Sequence, residues 1–130
     1  MVTIDRAAEL AGELPGVTEG TRHGHRTWFV GKKSFAWERP FSKADIKRFG
    51  TVTPPSGPIF AVSVDDLADK AAVMAAGHPG FFDIEHFAGY PAFLIQLDVV
   101  GEADLLDAIV DAWLAVAPPA DAEAYLKDHG

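Results

Sequence analysis

The longest helical pattern in the chain runs from Glu102 to Val116 and is cut off by Pro118 and Pro119. Leu105, Leu106, Ile109, Val110, Trp113 and Leu114 recur at helical spacing, while Glu102, Asp104, Asp107 and Asp111 line the opposite side. The acids at its start complement the positive end of the helix dipole. Much of the remaining chain reads as strands. RTWFV (26–30), GKKS (31–34) and FAWER (35–39) predict a β-hairpin around a glycine-containing turn. Lys32-Lys33 is poor chemistry for a two-residue primed turn, so the register and the faces of Trp28 and Trp37 stay open. IFAVSV (59–64) and AFLIQLDVV (92–100) predict apolar strands, and FFDIE (81–85) a short one.

Shorter helices are predicted over residues 3–13, capped by Thr3 and stopped by Pro15 and Gly16, and over KADIKRF, capped by Ser42 and closed by Gly50. Another starts at Asp65 or Asp66 and ends before Gly77 and Pro79; a last one covers roughly 120–128. TPPSGP (53–58) cannot join a central ladder. Hairpin-joined strands with helices in separate groups predict an α+β fold: a single domain over 1–130, with an antiparallel sheet of about five strands and helices packed mainly on one face. No repeat or linker divides it.

Composition narrows the function. With 48% hydrophobic and 23% charged residues, the 130-residue chain is expected to be globular. It contains no Cys, which excludes disulfides, thiolate nucleophiles and Cys-based zinc sites. Its apolar runs fall short of the ~18 residues that span a bilayer, so no membrane role is expected. The N-terminus, MVTIDRAAEL, has an acid where a signal peptide needs a basic region, which makes the cytoplasm the expected location. Net charge is −8, unevenly spread. From Arg22 to Arg48, eight Lys or Arg face two acids (Glu38 and Asp45), a local +6; the rest has three bases and seventeen acids, or −14.

Catalytic motifs are absent. Gly31-Lys32-Lys33-Ser34 is no P-loop: Arg26 stands where that motif needs glycine, Lys33 where it needs Ser or Thr, and the segment joins two strands. His23 and His25 have a strand-face spacing that metals use, with His78, His86, Asp83 or Glu85 as further ligands, but surface or hydrogen-bonded histidines are the plainer reading. Glu38 reads as the partner of a neighbouring Arg or Lys. No GxSxG, GxGxxG or HRD-like string occurs. No catalytic residue, metal or cofactor is therefore expected, and the protein is not expected to be an enzyme. Catalysis through His23, His25 or His86 is the least supported class.

The segment from Arg22 to Arg48 interleaves Trp28, Phe29, Phe35, Trp37, Phe41 and Phe49 with its eight cations. In nucleic-acid binders, cations hold phosphates while exposed aromatics stack on bases. The candidate nucleic-acid-binding residues are Arg22, Arg26, Trp28, Lys32, Lys33, Arg39, Lys43, Lys47 and Arg48, with Trp28 stacking if exposed. The bland alternative is a solvated hairpin face whose aromatics are core.

LPGVTEGTRHGHRTWFVGKKSFAWERPFSKADIKRFG (14–50) resembles the N-terminal half of MmcQ/YjbR-like proteins, in which a Leu-Pro-Gly helix end precedes an acid and a hairpin. FFDIEHFAGYPAFLIQLD (81–98) resembles their second motif, and AWLAVAPP (112–119) their C-terminal helix end. The resemblance spans nearly the whole chain and keeps the order of elements. It implies an MmcQ/YjbR-like α+β domain binding DNA through two wings, here through Arg26, Lys32, Lys33 and Arg39, and no catalytic residues carry over. GTRHGHRTW and SKADIKRFG depart from the family pattern. The expectation is weak, salt-dependent DNA binding. The alternative is a protein- or small-molecule-binding module that docks an acidic partner or a second copy of itself.

Overall fold

A computed structural model describes residues 1–129. In chain order the elements are α1 (Ile4–Gly12), β1 (Val17–Arg22), β2 (His25–Val30), β3 (Lys33–Glu38), α2 (Lys43–Phe49), β4 (Ile59–Ser63) and α3 (Leu67–Ala76). They continue with β5 (Phe81–Phe82), a 3-10 turn (Glu85–Phe87), β6 (Ala92–Gln96), α4 (Glu102–Val116) and α5 (Pro119–His129). The strands form one antiparallel sheet in the order β1-β2-β3-β4-β6-β5. The expected α+β domain is present, with six strands rather than about five.

The additional strand is β1. VTEGTR looks like loop because Glu and Gly are poor strand formers. What makes it a strand is the turn that follows: His23 and Gly24 both have positive φ, 54° and 79°, the type I′ pattern that folds β1 back on β2. The β2–β3 turn is shorter than expected, with only Gly31 and Lys32 in it. Gly31 has φ 61° and Lys32 does not share it, as in a type II′ turn, and Lys33 already pairs with Val30. Two steps further, Trp28 faces Ala36 while Phe29 faces Ser34, so Phe35 is an extra residue and β3 carries a bulge. The bulge turns both Phe35 and Ala36 toward the same core and leaves Trp37 for the opposite face.

One sheet face is covered by α1 and α4. Between them lies the main core, with Trp28, Phe35, Phe60, Phe93, Ile95, Leu105, Ile109 and Trp113 buried. Trp28 tilts against Phe60 with ring centroids 5.5 Å apart. Each such side chain gains about 1.5–3 kcal/mol from leaving water, so this layer holds the domain together. α5 returns onto α4 by laying Tyr125 on Trp113 at 5.2 Å. The other face carries a smaller cluster: Ile59, Ala61, Phe87, Ala92 and Leu94, with Trp37, Phe41, Phe82 and Ile84 half-buried. Its cover comes from residues 39–42, α2 and the 83–90 loop, lying over β4, β5 and β6. β1, β2 and the outer edge of β3 stay open on that side. Among the described residues, no helix is long and apolar enough to cross a membrane.

Candidate binding cleft on the sheet face opposite the main core

Strand alternation decides which side chains meet on the open face. Arg22 pairs with His25, and Thr27 pairs with Trp37. Those four therefore share the face away from the main helices, as does Ser34 beyond the bulge. This floor, together with His23, meets two walls. One is Arg39, Pro40, Phe41 and Ser42; the other is His86, Phe87 and Tyr90. They enclose a cleft of about 650 Å³, within the range that holds a small organic molecule.

Both walls are braced. On α3, Lys70 is only 6% exposed, and its ammonium donates to the carbonyl oxygens of Phe87 at 2.6 Å and Tyr90 at 2.9 Å. It also pairs with Asp83 at 3.1 Å, so all three of its N–H donors have acceptors. The buried cation thus ties the 83–90 loop to α3. Arg39 braces the other wall: it pairs with Asp45 at 2.9 Å, donates to the Pro40 carbonyl at 2.7 Å and lies over the Phe87 ring at 5.5 Å. Asp45 forms a capping box with Ser42 at the start of α2. Burial pushes the Asp45 carboxyl upward, but the Ser42 N–H, Arg39 and the Ser42 hydroxyl outweigh it and hold the group below the usual carboxylate range.

The remaining polar groups have capacity left over. Arg22 donates to Ser34 Oγ at 3.2 Å and lies over the Phe29 ring at 5.2 Å, with no carboxylate beside it among the described residues. Among the described residues, Glu38 pairs with no Lys or Arg side chain, contrary to the sequence expectation; its Oε1 accepts the Arg26 backbone N–H at 3.4 Å. Where the ladder between β2 and β3 ends, this carboxylate takes up a backbone donor. His23, His25 and His86 converge on the cleft, and among the described residues their ring nitrogens have no hydrogen-bond partner. They do not come together as a metal cage; the group of acids that does converge is Asp65, Asp66 and Asp69, exposed on the surface. The reading of His23 and His25 as a strand-face pair does not hold, because His23 sits in the turn.

Over a 133-residue alignment the chain is 40% identical to the uncharacterised proteins Rv2570 and MT2646 of two Mycobacterium tuberculosis strains and Mb2600 of Mycobacterium bovis, with the whole of each chain covered. The chain belongs to the Rv2570 family. No protein-family model matches it.

For this Rv2570-family chain, the basic segment needs correction. Trp28 is 0% exposed and packs in the main core, so it cannot stack on a base; the bulge and the alternation of β2 bury it. Arg26 is taken up by Glu19 at 3.0 Å and Asp5 at 3.1 Å, on the helix-bearing side. Arg39 and Arg48 share Asp45, the latter at 3.7 Å. Lys32, Lys33, Lys43 and Lys47 stand exposed without a carboxylate partner among the described residues. The eight cations are thus divided among a cleft, internal ion pairs and solvent. The cleft was hidden in the sequence because its residues come from 22–27, 34–42 and 86–90. The available signals were the convergence of aromatic residues near Phe87 and the unassigned histidines.

Proposed function

We propose that this protein is a small-molecule-binding module and that the cleft on the sheet face opposite α1 and α4 is its ligand site. The observation that carries this reading is the 650 Å³ concavity itself, floored by half-buried Trp37 and held open by Lys70 and Arg39. Ligand sites are concave, mostly apolar and edged by a few polar groups with free valence, which describes Trp37, Phe87 and Tyr90 beside Arg22 and the three imidazoles. Binding rather than catalysis is favoured because no imidazole here is oriented by a second group or hydrogen-bonded to a nucleophile, the arrangement that activates one. The order of sequence motifs supports placing the chain with the MmcQ/YjbR-like proteins.

The test is a fragment-library screen by two-dimensional NMR. Shifts gathered at the Trp37 indole and at residues 22–27, 34–42 and 86–90 are expected, and Trp37→Ala should abolish them. Shifts scattered over the surface, or gathered away from the cleft, would sink the reading.

A second reading rests on the four free lysines. Lys32, Lys33, Lys43 and Lys47 would hold the phosphates of DNA by charge alone, without base stacking by Trp28. Four phosphate contacts predict a slope of log affinity against log salt of about −4. Lys32→Glu with Lys33→Glu should then abolish binding, and a flat salt dependence would end this alternative.

A further inference from the structure

We infer that the ligand of the cleft is a planar aromatic anion, an aryl carboxylate or its equivalent. This inference rests on the small-molecule reading above. The apolar part of the argument is Trp37, Phe87 and Tyr90. Trp37 and Phe87 lie 6.3 Å apart, Phe87 and Tyr90 5.6 Å apart, and the cleft is flanked by ring faces and edges on two sides. Such walls favour a flat ring over a flexible chain, because offset and edge-to-face aromatic contacts add to simple burial.

The charge part of the argument is which ion in the cleft still has a vacant bond. Arg39 already has its charge met by the buried Asp45 carboxylate, with its Nη1 donors on Asp45 and the Pro40 carbonyl and its plane over the Phe87 ring. Glu38 also lines the cleft, but it follows Trp37 on β3, and its Oε1 is turned to the Arg26 backbone N–H at the rim. Arg22 is different. It shares the floor with Trp37, uses one donor on Ser34, and is held over Phe29 with the rest of its planar fork unengaged. A guanidinium fork is built to take a carboxylate through two parallel hydrogen bonds. Arg22 and Trp37 are two strands and two residues apart, about 12 Å between their Cα atoms by ordinary sheet spacings. A two-ring aromatic acid lying on Trp37 places its carboxylate within reach of Arg22. A cation in the same position would meet Arg22 head-on and lose its hydration without compensation.

Three probes of one shape separate the possibilities: 2-naphthoate, 2-naphthamide and 2-naphthylmethylammonium, each titrated into the full chain while the Trp37 indole N–H is followed by NMR. Naphthoate should bind at least about tenfold tighter than the amide or the ammonium, the margin one charge-assisted hydrogen bond supplies. Arg22→Gln, an exposed change on an outer strand, should erase that margin and bring naphthoate down to the affinity of the amide. If the amide or the ammonium binds at Trp37 as well as the acid, the anion inference is overturned and the cleft reading survives. If the margin persists in Arg22→Gln, the assignment to Arg22 is overturned. If naphthoate leaves Trp37 unmoved, the inference is overturned, and the library screen decides the fate of the cleft separately.

Discussion

Trp28 and Trp37 belong to neighbouring strands of one hairpin, and their surroundings have nothing in common. Trp28 is sealed between sheet and helices, while Trp37 floors a cleft. Trp28→Ala should therefore cost about 3–5 kcal/mol in a urea titration, since a buried indole leaves a cavity that the core only partly refills. Trp37→Ala should leave the protein folded and remove ligand signals. Two acids of opposite habit give a pH test. Partial desolvation raises the Asp111 carboxyl, exposed though the residue is, with Asp107 and Asp69 adding like charge. The folded state thus holds that proton longer than the unfolded chain does, and stability falls as pH rises through the acid range above the ordinary Asp value. Asp111→Asn should raise Tm at pH 7 and change it little at pH 3. The lowered Asp45 works the other way: its contribution is present above the ordinary value and is lost as pH falls through the folded one. Asp45→Asn should accordingly lower Tm more at pH 7 than at pH 3.

At the scale of elements, the helices were legible and the sheet was partly so. Thr3, Ser42 and Asp66 cap their helices as local chemistry requires, because a cap is decided by residues within one turn of it. Strand β1 was not legible, since VTEGTR acquires its partner only through a histidine-glycine turn that also reads as metal spacing. The bulge at Phe35 leaves no local mark at all; it is set by which side chains fit the core. Nor did anything in α3 announce that Lys70 would be buried. Lys70→Met would remove the ammonium from the Phe87 and Tyr90 carbonyl oxygens, each of which keeps one backbone N–H donor, and from the Asp83 carboxylate, and should destabilise the fold by about 1–3 kcal/mol. Amide exchange should quicken first over residues 83–90. Uniform acceleration across the sheet instead would show that the lysine supports the whole fold and not this wall.

At the scale of the molecule, the chain is an acidic body, and much of the cationic charge of its 22–48 segment is spent inside it. Arg26 joins β2 to β1 and α1, and Arg39 with Arg48 closes around Asp45. Because surface ion pairs weaken with salt, Arg26→Gln should lower Tm more in dilute buffer than in 1 M salt, where screening acts within about 3 Å. An equal loss in both would mean that packing over Trp28, where Arg26 lies at 5.5 Å, matters more than charge. Sequence alone determined the α+β class, the helices with their caps, the apolar strands β4 and β6, and the excess of acid, because each depends on residues a few positions apart. Tertiary structure decided the face of each tryptophan, the pairing of each arginine, and the cleft that gathers residues from 22 to 90. Those depend on strand register and on which carboxylate arrives opposite which cation, and both are fixed only when distant segments pack together.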